Sequence, residues 1–281
     1  DPENTVAFMG VSGANADLAC RKQYPYMESW PVGSFEEVFE AVEQGRTKYG
    51  IIPIENSQAG RVAEIHNLLP GTKTHIVAEF IQPVEHFVYG VKGAALADVK
   101  HVYSHHQALM QCRGFIREHK IESHQHSNTA TAAQDVAAWG DKTKAAICSE
   151  LAGALYGLEK LAGPVNDAPD NATLFLTIAR EPSDIEEDEK NILTSILFTL
   201  RNIPSALYKA LGGFATGGIN IVKLESYIKG GGTLAPSAQF FMTFEGNPRS
   251  RNVQLALEEL GFFTQKVHVL GVYPADARRK N

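Results

Sequence analysis

The sequence is poor in cysteine, with three in 281 residues and no Cys-x-x-Cys pair. Cys20, Cys112 and Cys148 lie far apart along the chain, which predicts neither a disulfide framework nor a zinc site. An odd, sparse set of cysteines is typical of a reducing compartment. We therefore expect a cytoplasmic protein without structural cross-links or a bound metal.

Long apolar runs and clusters of positive charge are also missing. No apolar stretch approaches the length of a membrane span, and no basic segment with a long apolar core opens the sequence. The formal net charge is −6, and basic residues are dense only at the very end of the chain. Because nucleic-acid binding needs a clustered basic surface, we expect a protein that binds neither nucleic acid nor a membrane.

Strand and helix patterns alternate along the first part of the chain. A strand pattern begins at Thr5, followed by a glycine turn and a helix. Ser34 and Glu37 then have the spacing of a capping box at the start of the next helix. This alternation continues to residue 180 and predicts an α/β fold with largely parallel sheets.

The alternation stops at residues 181–191, which are rich in acidic side chains and nearly free of apolar ones. This composition predicts a solvated linker. Residues 192–281 then follow the order strand, helix, strand, strand, helix, strand, with a glycine-rich hairpin in the middle. That order is the ferredoxin-like βαββαβ arrangement, which by analogy indicates a regulatory or oligomerising unit.

Short polar clusters fall where the strands of such a sheet end. The first is "GVSGAN" from Gly10 to Asn15. Its glycines allow a close approach of the backbone to a ligand, and its helix start offers free N–H groups to an anion. It lacks the full dinucleotide-binding pattern, so no nucleotide is predicted. An ordinary turn explains these residues equally well.

The second cluster, "IPIENSQAGRV", places Glu55, Asn56 and Ser57 after a buried strand, and Gly60 is expected to open the next helix. Adjacent polar side chains at the carboxyl end of a strand are typical of a binding crevice, and a capped loop is the alternative.

The third cluster, "YSHHQALMQC", is interpreted as a helix capped by Ser104.

Within that third cluster, Gln107 and Gln111 are four residues apart and share one helix face. A glutamine both donates and accepts, so Gln111 can grip a hydroxyl or a carboxylate. The neighbouring His105 and His106 lack the spacing and the carboxylate of a usual metal site, and no metal is predicted there.

The fourth cluster is Asn171 and Thr173, just ahead of the apolar run "LFLTIA". Strand alternation places Thr173 and Phe175 on one face and Leu174 on the other. A hydroxyl in this position can donate to a leaving oxygen or anchor a carboxylate. A turn that feeds a strand is the plain alternative.

Together these motifs resemble the prephenate dehydratase family over nearly the whole chain. "PIENS", "SHHQALMQC", "NTATAA" and "NATLF" are similar to its catalytic signatures, and "SALYKAL" and "INIVKLES" to the motifs of its ACT regulatory domain. The resemblance implies a catalytic domain at residues 1–180 made of two subdomains, similar to periplasmic binding proteins, with a cleft between them. A linker at 181–191 and a ferredoxin-like ACT domain at 192–281 would follow.

The resemblance also implies a reaction, the cofactor-free loss of carbon dioxide and water from prephenate to give phenylpyruvate for phenylalanine synthesis. The implied catalytic residues are Asn56, Ser104, Gln111 and Thr173. The resemblance adds Thr129 as a substrate-binding residue, and the polar clusters and strand face described above make Ser12, Glu55, Ser57 and Phe175 the other substrate-binding candidates. A dimer or tetramer joined through ACT domains would bind inhibitory L-phenylalanine at Ser205, Ala206, Leu207, Asn220, Glu225 and Ser226.

Thr173 is expected to donate to the departing oxygen, while Glu55 is the candidate acid nearest in sequence. Leu174 stands where the family usually has arginine, a planar hydrogen-bond donor suited to a carboxylate. Because that donor is missing, arogenate is kept as an alternative substrate. Ala16 replaces a common serine, and Tyr227 interrupts an ACT motif. The rival interpretations are a sensor that binds aromatic metabolites without turnover and an oligomeric scaffold with an inactivated site.

Overall fold

The computed structural model describes residues 1–228 and 238–279. The predicted glycine-rich hairpin at 229–237 and the end of the basic tail lie outside the described residues. The strands are β1 (Thr5–Met9), β2 (Glu28–Val32), β3 (Tyr49–Asn56), β4 (Gly60–Arg61), β5 (His75–Pro83), β6 (Phe87–Gly90), β7 (His101–His105), β8 (Glu122–His126), β9 (Lys144–Cys148), β10 (Glu159–Ala162), β11 (Ala172–Ala179), β12 (Ile192–Leu200), β13 (Ile221–Ile228), β14 (Ala238–Glu245) and β15 (Thr264–Pro274).

The helices are α1 (Asn15–Gln23), α2 (Phe35–Glu43), α3 (Ala63–Leu68), α4 (His106–Gln111), α5 (Arg113–Glu118), α6 (Thr129–Trp139), α7 (Glu150–Leu155), α8 (Ala206–Ala210), α9 (Gly212–Thr216) and α10 (Arg251–Phe263). Among the described residues, none of these helices has the length and apolar character needed to cross a membrane.

The capping signal at α2 is confirmed. Ser34 Oγ accepts from the backbone N–H of Glu37 at 3.2 Å, and the Glu37 carboxylate accepts from the N–H of Gly33 at 2.8 Å. The first contact satisfies an N–H group that the first helical turn would leave unpaired, and the second ties the residue before the cap to that turn. The apolar face of α2, with Val38 and Val42 fully buried, then packs on the first sheet.

Two mixed sheets form the framework. The first has ten strands in the order β13-β14-β12-β15-β5-β11-β3-β1-β2, with β4 paired to β3, and the second has five in the order β10-β6-β9-β7-β8. Strand β1 runs parallel to β2 and β3, and β7 runs parallel to β8 and β9. The alternation of strands and helices confirms the predicted α/β class. Strand β11 is antiparallel to both β3 and β5, so the sheets are less parallel than expected.

The chain crosses between the two sheets twice, after β5 and again before β11. Hydrogen bonds join the two crossing segments: Val84 N–H donates to the Asn171 carbonyl at 2.8 Å, and Asn166 Nδ2 donates to the Val84 carbonyl at 2.9 Å. The Asn166 side-chain oxygen also accepts from the His86 N–H at 2.8 Å. This double connection fixes where the two halves face each other.

The C-terminal unit has the predicted order β12, helix, β13, β14, α10, β15. The single helix predicted after β12 is broken at Leu211 into α8 and α9. Strand β15 pairs with β5 at Gly271 and Ile76, so this unit extends the first sheet. A side chain at Gly271 would clash with the Ile76 backbone, which explains the glycine at this close approach. Because the sheet continues past the predicted linker, the domain boundaries stay a prediction.

His66 lies where α3 meets the C-terminal unit, with its ring edge-on to Phe241 at 5.4 Å between centroids. The pKa of His66 is lowered from 6.5 to about 4. Burial is the main cause, and the nearby positive charge of Lys223 contributes to the same shift. The unfolded chain therefore takes up a proton at a higher pH than the folded one.

This difference predicts a pH-dependent stability. The contribution of His66 is fully present above pH 6.5 and is lost as the pH falls towards 4, by roughly 3 kcal/mol in all. Denaturant unfolding between pH 7 and 4.5 measures it, and His66→Gln, which cannot titrate, should decline less steeply than the wild type. His119→Gln, at an exposed histidine, is the control. Equal slopes for His66→Gln and the wild type would contradict this account.

Candidate active site

A cavity of about 660 Å³ lies between the two halves of the molecule. The first half contributes the loop after β1, the hairpin between β3 and β4, and the start of β11. The second half contributes His86, the end of β7 with α4, and the start of α6. Both walls therefore include strand ends and helix starts, the places where backbone and side-chain polar groups are available to a ligand.

Asn56 closes β3 and is fixed in orientation by its own hairpin. Its side-chain oxygen accepts from the N–H groups of Gln58 at 3.0 Å and Ala59 at 2.9 Å. Gly60, with a φ of +81°, completes the turn in a backbone conformation that favours glycine. Since the oxygen is engaged by backbone donors, the NH₂ group of Asn56 must face the other way.

The Asn56 amide meets β11, the strand paired with β3. Its Nδ2 lies 3.0 Å from Thr173 Oγ1, 3.0 Å from Asn171 Oδ1 and 3.1 Å from the Ala172 carbonyl. Two amide hydrogens are shared among these three acceptors. When Thr173 Oγ1 accepts from Asn56, its own hydroxyl hydrogen is left to donate to a ligand in the cavity.

Gln111 extends this network to the second half of the molecule. Its Oε1 accepts from Asn171 Nδ2 at 3.0 Å and lies 2.8 Å from His86 Nε2. Burial lowers the pKa of His86, partly opposed by this bond to Gln111, so the ring is neutral at pH 7 and donates through Nε2. Because both contacts use Oε1, the amide NH₂ of Gln111 is left to donate into the cavity.

The charge of the cavity favours an anion. Among the described residues no Asp or Glu side chain lines it, and Arg61 is its single Arg or Lys. Arg61 Nη1 also lies 3.4 Å from a Glu225 carboxylate oxygen and 3.2 Å from the Ser226 carbonyl oxygen. The guanidinium therefore stands between the cavity and the C-terminal unit.

The loop after β1 adds the start of α1 to the same wall. Gly10, Ala14 and Asn15 line the cavity, and the N-cap position, Ala14, has no side-chain cap. Buried Asp17 holds this loop by accepting from the Gly13 N–H at 2.8 Å and from the Ser29 hydroxyl at 2.7 Å. The first turn of α1 thus presents N–H groups and the positive end of the helix dipole at the cavity wall.

Five of the residues predicted for catalysis and binding line the cavity, namely Asn56, Gln111, Thr129, Thr173 and Phe175. Ser104 does not. It is fully buried in β7, where its hydroxyl donates to the Ile147 carbonyl at 2.5 Å. His105 caps α4 instead, so the prediction of a Ser104 cap is wrong, because the strand continues one residue further.

Three other predicted residues also lie outside the cavity lining. Exposed Ser12 offers its carbonyl oxygen to the Tyr156 hydroxyl at 3.5 Å. Ser57 accepts from the N–H of Ala172 at 3.0 Å and so ties the hairpin to β11. Glu55 forms an ion pair with Lys223, because strand alternation turns it to the face opposite Asn56. It therefore does not offer an acid to the cavity.

Leu174 is buried in the hydrophobic core, whereas its neighbours Thr173 and Phe175 line the cavity, as the alternation of β11 predicts. Gly60 opens the short strand β4 rather than a helix. Sequence reasoning missed Arg61 and His86. Arg61 belongs to the second polar cluster, where a lone cation was the available signal. His86 precedes an ordinary strand and gave no signal.

Among the described residues, the six predicted for phenylalanine lie in three different places. Residues 205–207 lie at the start of α8, and Asn220 lines a separate cavity of about 710 Å³ in the C-terminal unit. Glu225 and Ser226 contact Arg61 instead.

One group of described side chains is close enough to share a metal ion, formed by His101, Glu122 and His124 on β7 and β8. The facing ring nitrogens of the two histidines are 3.0 Å apart. None of the three lines the cavity, so this group takes no part in the chemistry of the cavity.

The fold and the site define an α/β protein with a cavity between two halves, lined by an arginine and by no carboxylate among the described residues. Comparison with known proteins identifies the class further: the family model "Prephenate dehydratase" matches residues 6–183. A bifunctional N-acyl-homoserine lactone acylase/prephenate dehydratase of Komagataeibacter europaeus is 42% identical over 99% of this chain and 98% of its own length. Arogenate dehydratase/prephenate dehydratase 1 of Arabidopsis thaliana is 36% identical over 99% of this chain and 74% of its own length.

Solved structures agree. Prephenate dehydratase from Arthrobacter aurescens in complex with L-Phe is 26% identical, with a TM-score of 0.86 over 98% of this chain and 91% of that one. The chain belongs to the prephenate dehydratase family. It is an enzyme of the carbon–oxygen lyase class.

Proposed function

We propose that the enzyme converts prephenate to phenylpyruvate by removing water and carbon dioxide in this cavity. The observation that carries the proposal is the Thr173 hydroxyl, which Asn56 holds in the same cavity that Gln111 lines. No cofactor is needed, because loss of both groups makes the substrate ring aromatic and the reaction strongly downhill.

The barrier lies in expelling hydroxide from the ring. Thr173 donates a hydrogen bond to the departing oxygen as the C–O bond lengthens. The hydrogen bond that Thr173 Oγ1 receives from Asn56, at 3.0 Å, polarises the hydroxyl and strengthens its own donation. A threonine is too weak an acid for full proton transfer, so its role is to stabilise the negative charge that develops on oxygen.

The two carboxylates of the substrate need partners of their own. Arg61, the amide of Gln111, and the starts of α1 and α6 supply donors along the cavity wall. Apolar side chains such as Phe35, Val62 and Phe175 line the rest of the cavity. They would weaken hydration of the carboxylate that leaves as carbon dioxide.

Arogenate, the amino counterpart of prephenate, is the alternative substrate. Its ammonium group would need a carboxylate or another acceptor, and no Asp or Glu side chain of the described residues lines the cavity. Leu174, where the family usually has arginine, faces the core and removes no contact from the cavity. Both observations favour prephenate.

The C-terminal unit is proposed to be an ACT domain that binds L-phenylalanine between two copies of the chain in a dimer or tetramer. Its βαββαβ order supports this assignment. Glu225 and Ser226 belong to the predicted phenylalanine site and also contact Arg61. Binding of the inhibitor could therefore change the contact between Arg61 and the substrate anion directly.

The rival interpretation, a sensor of aromatic metabolites without turnover, does not explain the Thr173 hydroxyl, because a sensor has no use for a hydroxyl aimed at a leaving group.

Removing the Thr173 hydroxyl tests the reaction. Thr173→Val should lower kcat for prephenate by roughly a hundredfold to a thousandfold, because one hydrogen bond to the transition state is lost, worth about 2.7–4 kcal/mol. Phenylpyruvate absorbance measures the rate. Thr173→Ser keeps the hydroxyl and should restore most of it, whereas near-full turnover by Thr173→Val would overturn the assignment.

Removing the charge at position 61 tests the anion contact. Arg61→Gln should raise KM for prephenate about tenfold to a hundredfold with a smaller change in kcat, because a charged hydrogen bond contributes about 1.5–3 kcal/mol to binding. Arg113→Gln removes the same charge from an exposed position outside the cavity and serves as the control. An unchanged KM in Arg61→Gln would exclude Arg61 as a substrate contact.

Parallel assays with prephenate and arogenate, each with and without L-phenylalanine, test specificity and regulation. We expect faster turnover of prephenate and inhibition by L-phenylalanine. Glu225→Gln should weaken that inhibition, since it breaks the ion pair with Arg61. Exclusive turnover of arogenate would overturn the substrate proposal, and turnover insensitive to L-phenylalanine would overturn the regulatory one.

The relative from Komagataeibacter europaeus supports a second activity. That protein is named as an N-acyl-homoserine lactone acylase as well as a prephenate dehydratase, and it is similar to this chain over nearly its whole length. Hydrolysis of an N-acyl amide is therefore the second candidate function. The dehydration residues alone do not explain it, because amide hydrolysis needs an activated nucleophile.

A further inference from the structure

A chain of hydrogen bonds at the start of α6 takes no part in the proposed dehydration. Asp135 Oδ2 lies 2.9 Å from His126 Nε2. On the other side of the same ring, His126 Nδ1 lies 3.3 Å from Ser127 Oγ. Ser127 is exposed and lines the cavity. A serine, an imidazole and a carboxylate thus stand in sequence, with the serine facing the space that a substrate would enter.

The carboxylate determines which ring nitrogen can act as a base. An ionised Asp135 only accepts hydrogen bonds, so the ring hydrogen of neutral His126 belongs on Nε2. Nδ1 then carries a lone pair towards Ser127 and can take the hydroxyl proton. The roles match those of a serine hydrolase triad with the two ring nitrogens exchanged, and such triads are recognised by roles and geometry rather than by chain order.

Thr131 competes for the same nitrogen. Its Oγ1 lies 3.0 Å from His126 Nδ1, 3.1 Å from Ser127 Oγ and 3.2 Å from the Asn128 carbonyl oxygen. The Thr131 hydroxyl can donate to that carbonyl and leave Nδ1 to Ser127. Thr131 does not line the cavity, so Ser127 is the hydroxyl that can meet a substrate.

The start of α6 also supplies donors for a developing oxyanion. Asn128 caps this 11-residue helix by accepting from the Thr131 N–H at 2.8 Å. The N–H groups of Thr129 and Ala130 precede that bond in the first turn, where no intrahelical partner exists for them. Asn128 and Thr129 line the cavity next to Ser127, so these N–H groups and the helix dipole lie close to the nucleophile.

We propose that Ser127, His126 and Asp135 form an acyl-transfer site that hydrolyses N-acyl amides with an aliphatic acyl chain, using the cavity shared with the dehydratase. The inference rests on the second proposed activity and assigns its residues. The apolar side chains Phe35, Val62 and Val84 offer the acyl chain a surface inside the same cavity.

In the first step, Ser127 Oγ bonds to the amide carbon as its proton passes to His126 Nδ1. The carbon–nitrogen bond then breaks, and the proton moves to the departing amine. Water hydrolyses the resulting serine ester: its oxygen bonds to the acyl carbon, one proton returns to Ser127 through His126, and the carboxylic acid leaves. Asp135 is a positioning residue that holds the ring and its tautomer.

Labelling with a fluorophosphonate, which forms a phosphorus–oxygen bond to an activated serine as fluoride leaves, tests the site. Intact-mass and peptide analysis should show one adduct, on Ser127. Ser127→Ala should abolish it, and His126→Gln should slow it about a hundredfold or more. Asp135→Glu should retain part of the rate that Asp135→Asn loses. Ser123→Ala, at an exposed serine of the preceding strand, should label like the wild type.

Release of amine from an N-acyl-homoserine lactone is measured on the same variants, with melting temperatures as a check on folding. Absence of an adduct on the wild type, or labelling that persists in Ser127→Ala or is unaffected by His126→Gln, would overturn the proposal. Prephenate turnover is measured on the same wild-type preparation. Turnover without labelling contradicts the triad alone, and labelling without turnover contradicts the dehydratase alone.

Discussion

The hydrogen bond from the Asn56 amide to the Thr173 hydroxyl is the interaction on which the proposed dehydratase site depends. Backbone N–H groups in the hairpin after β3 hold the Asn56 oxygen, so its NH₂ group can point only towards β11. There it meets Thr173 at 3.0 Å and turns that hydroxyl into a donor for a bound molecule. The pairing of β3 with β11 in turn fixes the separation of the two residues.

Other parts of the fold extend this hydrogen-bond network and set the charge around the cavity. Asn171 passes the network on to Gln111, so the two halves of the molecule are held together at the point where the cavity opens. Carboxylates near the cavity are occupied elsewhere: Glu55 pairs with Lys223, and Glu225 with Arg61. A substrate with two carboxylates would therefore meet donors. Glu225 of the C-terminal unit would compete with it for Arg61, the one guanidinium that lines the cavity in the described part of the chain.

The sequence predicted the α/β class, the βαββαβ order and the face on which Thr173 lies, because these follow from local periodicity. Ser104 and Glu55 lie outside the cavity lining, since one extra residue of strand or one step of alternation turns a side chain away from the cavity. The joining of β15 to β5, and the meeting of Arg61 with Glu225, depend on packing between segments far apart in the chain. No local pattern records such contacts. The link from Asp135 to His126 and Ser127 likewise combines a strand end with the second turn of a helix.

A double-mutant cycle on kcat for prephenate, using Asn56→Ala, Thr173→Val and their combination, tests the central claim most directly. If Asn56 acts by orienting the Thr173 hydroxyl, each single substitution removes the same hydrogen bond to the leaving oxygen. Thr173→Val should then cost much of the rate in the wild-type enzyme and little more in the Asn56→Ala enzyme. Losses that multiply fully would show that the two residues act independently and would contradict the account.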